Sequence, residues 1–396
     1  MAMTDSNYAT VLDDLPKEII IDEVLLRLPA KDVLRCRMVR KSWCHATSTK
    51  DFLVAYHKRQ PSLPVIKQIK YNSNHYILAL CDSSTIAARS KLCCLPIFRY
   101  PIPHLDNGRF FIYAICDGLI IVPVCEDMGL FDVCNPTTRQ HAPLRLLQGR
   151  MLPNRSVQIS ALYQHHPSGE YRVLYSIWTR NEVLRNCTID FYVLTVGSNK
   201  PRPIGQPPVD YKLLNLLTCS SNAPVLHRGN LHWKLGTYSF YDAGNIMLFD
   251  TTAEAFRWML GPTNTYLSKS LLEMDSALGM CCSQNFIVTD IYVIQDYEAE
   301  VWDFMYRINI SELEDSPPID YRIRCVEKIA MLNERELLIE LLGGTVLHCD
   351  INGKFLGIIE RDEGEKTSMH IMTFRFRENI ISLPFFEMQD GFGKNM

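Results

Sequence analysis

An apolar strand, a polar turn and a second strand recur along most of this chain, and that recurrence narrows the fold more than any other feature. The unit is read at 76–92 (YILALCDSSTIAARSKL), 129–144 (GLFDVCNPTTRQHAPL), 190–204, 245–259, 304–318 and 345–359. The interval is irregular, roughly 40 to 60 residues, which suits four-stranded propeller blades joined by variable loops. Further strand patterns lie between the units at 171–177, 230–235 and 287–294, and residues 370–384 carry more, enough to close a ring against the first blade. Closure would remove exposed sheet edges, a reason for a large antiparallel protein to adopt it. The expected fold is a large all-β domain, a β-propeller of about six blades. An open pair of β-sandwiches or an irregular β-domain stays open as the alternative.

The start of the chain has a different period. From Asp13 to about Arg59 apolar residues follow helical spacing. Asp13 and Asp14 suit a helix N-terminus, and Pro16 suits a first turn, where its missing N–H is not needed. Ile20, Val24 and Leu28 then share one face, widened by Ile21 and Leu25, and Pro29 ends the helix. Val33, Leu34, Met38, Val39, Trp43 and Ala46 continue the spacing through one or two more helices, and Asp51 is placed to cap a last one carrying Phe52 and Tyr56. The expected organisation is a tail (1–12), a small all-α unit of three or four short helices (13–60), the β-domain (61–385) and a second tail (386–396). A helical unit this small buries little on its own, so it is expected to lean on a partner or on its neighbour.

Composition removes several classes of function. The 396 residues are 47% hydrophobic and 21% charged, with a formal net charge of −3, which speaks against nucleic acid or an anionic membrane as an overall partner. The opening residues lack a cationic, apolar leader, and the most apolar stretch, 110–125, is interrupted by Asp117, Gly118 and Pro123. A cytoplasmic or nuclear protein is expected. The fourteen cysteines are scattered without a C-x-x-C, so small buried hydrophobes and free thiols are expected rather than a zinc or redox centre. No hydrolase elbow, metalloprotease helix or dinucleotide fingerprint is present, and residues 364–367 only mimic a P-loop because Glu365 separates the glycine from Lys366. No cofactor, metal or catalytic residue is assigned. Trp233, Trp258 and Trp302 lie in strand patterns and are expected in the core, and His165 and His166 in a loop.

The motifs are most specific at the N-terminus. Residues 15–43 carry Leu15 and Pro16, then Leu25, Leu26 and Arg27 ahead of Leu28 and Pro29, and finally Val39 with Lys41, Ser42 and Trp43. In that order they resemble an F-box. Further on, Cys116 to Leu119 (CDGL), Asn135 to Arg139 (NPTTR), Pro167 to Leu174 (PSGEYRVL), Leu231 to Trp233 (LHW), and Phe249, Asp250 and Thr251 with Glu254, Phe256 and Arg257 resemble the F-box-associated β-propeller domains abundant in plants. A run around Tyr297 to Trp302 adds to the likeness, which spans about residues 13 to 385.

The resemblance implies a non-catalytic receptor subunit of a Skp-cullin-F-box (SCF-type) ubiquitin ligase. The F-box would dock a Skp-type adaptor through Leu15, Pro16, Val24, Leu25, Leu28, Pro29, Val39 and Trp43, and through it cullin and RING subunits. The β-domain would hold an unknown target protein, and ubiquitination would follow from proximity alone. The residues themselves leave open whether this apolar set faces an adaptor or packs on the β-domain. The run of Arg35, Arg37, Arg40 and Lys41 is equally compatible with an acidic adaptor or a solvated helix face. One departure stands out: family members usually have one residue fewer between the two Leu-Pro steps, and one residue turns a helix by about 100°. Either the segment before the helix absorbs it or the first adaptor contact weakens. The competing reading is a propeller that binds a small ligand or glycan, with a vestigial F-box. Segments 145–155, 206–215 and 263–270 are the candidate target-binding rim.

Overall fold

The computed structural model describes residues 15–70, 75–82, 93–101, 112–125, 129–146, 154–181, 186–207, 223–234, 245–262, 268–274, 277–283, 285–314, 325–359, 367–381 and 387–388. Asp13 and Asp14 lie outside them, as does most of each of the three rim segments.

The chain begins with short helices. A π-helical stretch, Ile19–Val24, runs into a 3-10 turn, Leu25–Arg27, and three α-helices follow: α1 (Ala30–Val39), α2 (Lys41–Thr47) and α3 (Lys50–Arg59). The first element departs from the regular helix expected. The Leu25 N–H bonds the carbonyls of both Ile20 and Ile21, so the turn is wider than α. The wider turn carries Ile20 and Leu25, five residues apart, into one core, while Val24 stays 38% exposed. A second departure concerns α3, which is capped by Thr49, whose hydroxyl accepts the Phe52 N–H, with Asp51 in the first turn instead.

Strands then run to the end of the described chain. The first are β1 (Leu63–Lys70), β2 (His75–Asp82) and β3 (Cys93–Pro101). A blade of β4 (Ala114–Cys116), β5 (Leu119–Cys125), β6 (Leu130–Asn135) and β7 (Gln140–Arg145) follows. The next has β8 (Arg155–His165), β9 (Glu170–Asn181), β10 (Asn186–Thr195) and β11 (Arg202–Pro203). Then come β12 (Val225–His227), β13 (Asn230–Lys234), β14 (Asn245–Asp250) and β15 (Ala255–Leu260). They are followed by β16 (Ser268–Glu273), β17 (Leu278–Ser283), β18 (Val288–Asp296) and β19 (Val301–Asn309). The fifth set is β20 (Val326–Met331), β21 (Glu336–Leu341), β22 (Thr345–Asp350) and β23 (Phe355–Ile358), with β24 (Thr367–Phe376) and β25 (Glu387–Met388) last.

These strands form six antiparallel sheets, the blades of a propeller. In five blades the first strand is innermost. In the sixth the order is β24-β1-β2-β3, so the innermost strand comes from the far end of the chain and closes the ring. Six buried clusters lie one between each pair of neighbouring blades, as between β20–β23 and the closing blade, where Leu338 and Val346 meet Ile66 and Ile371. The short β25 pairs with β7 and adds a fifth strand there, within the segment expected as a tail.

Four of the expected units are outer hairpins of blades: β6–β7, β10–β11, β14–β15 and β22–β23. Three of these four turns share one chemistry. Asn135, Asp250 and Asp350 each accept backbone N–H bonds from two residues just ahead, and Asp296 does the same before β19. Two units differ. The 304–318 unit contains β19, the outermost strand of its blade, and residues 315–324 lie outside those described; β2 pairs with β3 at 93–101, past the second strand expected within 76–92. Trp233 is fully buried, and Trp258 packs against the same cluster.

Candidate docking surface and its mounting

The helices enclose a small core of Ile20, Leu25, Leu26, Ala30, Val33, Phe52 and Tyr56. Phe52 and Tyr56, one turn apart on α3, stack with ring centroids 5.8 Å apart, and the Tyr56 hydroxyl donates to the Leu28 carbonyl at 2.9 Å. Burial pushes that phenol's pKa well above its ordinary value, with the Glu378 carboxylate adding to the rise.

Apolar side chains that the core does not use stay outside. Met38 is 81% exposed and Val39 69%, at the C-terminal end of α1, and Leu15, Ile19, Val24 and Val54 are also exposed large apolar residues. Pro16 and Pro29 are exposed, whereas Leu28 and Trp43 are half-buried against the core. Leu25 is only 2% exposed and belongs to the core rather than the surface. Ile19 and Val54 are not singled out by sequence, and Met38 is read there only as part of the helical spacing, not as an adaptor contact. Met38 lies five residues past Val33, off the Ala30 and Val33 face, and that offset is the signal that could have found it.

The basic run splits three ways. Arg35 pairs with Asp32 at 2.9 Å on the same helix, and Arg40 lies over the Trp43 ring at 5.2 Å. Arg37 turns inward: its guanidinium donates to the Thr47 hydroxyl (3.0 Å), the Thr47 carbonyl (2.7 Å) and the Ile380 carbonyl (3.3 Å). Burial lowers its pKa.

Ile380 introduces the mounting. After β24 the chain continues through residues 377–381 beneath the helices, where Ile380, 1% exposed, completes their core. The Glu378 carboxylate bonds the Ala30 backbone N–H at the start of α1, and burial raises its pKa. On the propeller side this segment is held by the two most visible motifs. Asn135, fully buried, donates from Nδ2 to the carbonyls of Asn379 (3.0 Å) and Ile381 (3.2 Å). Asn379 donates to the Asp117 carbonyl at 2.8 Å and accepts the Ile381 N–H at 2.7 Å. Gly118 has φ +77, and a Cβ there would stand 2.6 Å from the Arg377 carbonyl oxygen and 2.8 Å from Asn379 Cβ, so only glycine fits.

Asp117 joins this seam to α3. Its carboxylate meets His57 Nε2 at 3.0 Å and accepts from the Tyr171 hydroxyl at 3.3 Å. Burial alone would raise its pKa, but the hydrogen bond and charge of His57, with Cys116 and Tyr171, outweigh it and hold the carboxyl below its usual value. The NPTTR motif, legible as a turn, and the CDGL motif therefore both bind the segment after β24.

Other motif residues join blades. Glu254 accepts from Arg172 (2.6 Å) and the Tyr163 hydroxyl (2.8 Å) and also pairs with Arg202. His232 in the LHW motif bonds the Val225 carbonyl through Nδ1 (3.1 Å) and the Tyr297 hydroxyl through Nε2 (2.8 Å).

Two further features sit on the ring. A cavity of about 240 Å³, lined by residues of the innermost strands, holds Asp117, Glu273, Arg375 and Arg377. Among the described residues, Glu327, Glu340 and His370 bring three possible metal-ligand atoms within 4.8 Å of one another. Glu340 is engaged there by the Ile371 N–H (2.7 Å) and His370 Nδ1 (2.8 Å), which joins β21 to β24. No helix among the described residues is long and apolar enough to cross a membrane.

Residues 73–326 match the family described as the F-box associated beta propeller domain. One F-box protein of Arabidopsis thaliana is 26% identical over 309 residues, covering 73% of this chain and 67% of the relative. Another is 22% identical over 308 residues, covering 74% and 79%. Among solved structures, the beta-propeller domain of Cps50 (Swd1) from Myceliophteria thermophila covers 75% of this chain and 90% of its own, at 8% identity and a TM-score of 0.38.

Proposed function

Because the chain belongs to the F-box associated β-propeller domain family, we propose that it is the substrate-recognition subunit of an SCF-type ubiquitin ligase. In this reading the helical segment is an F-box that docks a Skp-type adaptor, and the propeller captures a target protein. The subunit is non-catalytic and acts in the cytoplasm or nucleus by raising the local concentration of target lysines at a charged conjugating enzyme. The observation that carries the reading is the pair Met38 and Val39, 81% and 69% exposed on a helix whose inner face is already buried. Large apolar side chains left out of a complete core are the usual centre of a protein interface. Leu15, Pro16, Val24 and Pro29 lie at the surface with them, while Leu28 and Trp43 support it from beneath. Leu25, inside the core, acts only by holding the turn.

The widened turn at Ile19–Val24 bears on the surplus residue. A π-turn can absorb one residue without rotating the rest of the helical segment, which supports a docking surface that tolerates the longer spacing. Isothermal calorimetry of the full chain against a purified Skp-type adaptor tests the reading. Met38→Asp with Val39→Asp should weaken binding at least about tenfold, the scale expected when central apolar contacts are lost. Failure of the wild-type chain to bind, or equal binding by the variant, would remove this docking surface.

A further inference from the structure

The end of the β1–β24 pair is also the base of the helical segment. Leu63 of β1 is paired with Phe376 of β24. Four residues before Leu63 the chain is in α3, and four residues after Phe376 Ile380 is in the helical core. The two chain segments therefore leave one end of one strand pair and enter one small core from below. Neither has slack. Arg375 fixes the junction by donating to the Ser62 and Met331 carbonyls, and Asn135, Asn379 and Gly118 fix the segment after β24.

The helices lack groups that this segment brings. Pro29, at the N-cap of α1, has no side chain that could accept an N–H, and Glu378 supplies the acceptor from the other end of the chain. Arg37 finds one of its acceptors in the Ile380 carbonyl. Ile380 itself fills a core of fewer than ten buried side chains, in which loss of a single large apolar group is a sizeable share of the total.

We propose that the docking surface is conditional on closure of the ring: until β24 pairs with β1, residues 377–381 cannot complete the helical core, and the chain presents no ordered adaptor-binding surface. The proposal rests on the adaptor reading for its functional meaning, but the structural coupling stands apart from it. An unfinished or opened propeller would then be withheld from the ligase, because assembly and target capture depend on the same strand pair.

Amide hydrogen exchange of the full-length chain, read by mass spectrometry, decides the matter. Ile371→Asp places a charge at a 1% exposed position of β24, between the last two blades and away from the helices. Coupling predicts that amides of α1 and α3 lose protection with those of β24, exchanging at least about tenfold faster. Helices that keep wild-type protection while β24 loses its own would overturn the proposal, even with the propeller unfolded. A milder variant, Asn135→Ala with Asn379→Ala, frees only the segment after β24; faster exchange in α1 with β24 unchanged supports the same coupling, and unchanged α1 exchange opposes it. Calorimetry with the purified Skp-type adaptor separates the two readings. If wild type binds and Ile371→Asp binds equally well, the coupling is wrong and the docking reading survives. If wild type does not bind while exchange is coupled, the docking reading is wrong and the coupling survives.

Discussion

Acid should destabilise this propeller through His232, and the size of the effect is set by its surroundings. The ring is fully buried, and the Val225 carbonyl, which can only accept, requires Nδ1 to carry the proton. Nε2 is then the acceptor of the Tyr297 hydroxyl, which in turn accepts from Asn230 at 3.1 Å. Protonating Nε2 would force the Tyr297 hydroxyl to turn its proton away and put a charge where water cannot reach. Burial foremost, with the neighbouring charges of His227 and Arg257, lowers the pKa from 6.5 to about 4. A histidine whose pKa is depressed by folding binds its proton more tightly in the unfolded chain, so stability falls as pH drops from about 6.5 towards 4. At pH 5 the unfolded ring is almost wholly charged and the folded ring almost wholly neutral, a difference of about 2 kcal/mol, rising to about 3 kcal/mol below pH 4. Urea unfolding at pH 7.5 and pH 5 measures it, with His232→Gln as reference. The variant should be less stable at pH 7.5 because it loses packing, yet its loss on acidification should be about 2 kcal/mol smaller than that of wild type. Parallel losses in the two proteins would show that His232 does not titrate as its setting requires.

Three further outcomes are expected. Gly118→Ala meets both a left-handed backbone and the Arg377 carbonyl at 2.6 Å, so it should lower stability by about 2 kcal/mol or more, seen as a reduced thermal midpoint. An unchanged midpoint would mean that the seam yields easily. Glu378→Gln should raise the midpoint at pH 7.5 and change it little below pH 4: the raised pKa of the buried carboxyl makes its contribution full below the ordinary value and lost as pH rises through the folded one. A fall at pH 7.5 would mean that its charge on α1 outweighs burial. Deleting Asp22 from the widened turn should return Ile19–Val24 to a regular helix with adaptor affinity unchanged within about threefold, whereas a large loss would show that the π-turn itself shapes the surface.

The parts of this fold that sequence reveals are those set by neighbours in the chain. A short apolar run ending in a polar turn marks β6, β14 and β22, and Asn135, Asp250 and Asp350 announce their turns because an Asx side chain bonds backbone N–H groups just ahead of it. The pattern in residues 370–384 reads as closing strand; β24 covers 367–376 and pairs with β1 at both of its ends, with a bulge between Ile371 and Arg375. The features that escaped depend on contacts far apart. Asn135 reaches a carbonyl 244 positions away, and nothing local to either residue signals the bond. Apolar spacings of four and five residues look alike in a short stretch, so Leu25 was placed beside Val24 on the surface when the wider turn puts it with Ile20 in the core. Thr49 and Asp51 both suit an N-cap, and only backbone geometry chooses between them.

The seam built by Asp117, Gly118, Asn135 and Asn379 also has a meaning for how such a protein varies. Each of these residues answers to more than one partner: Asp117 to α3, β9 and residue 379, Asn135 to its own turn and to the segment after β24. Substitutions within one hydrogen-bonded network do not add independently, so a change at one of them cannot be made good by a change at a single neighbour. Joins between strands that do not meet this seam answer to no such shared constraint. Insertions and exchanges there can accumulate without altering how the helices are carried.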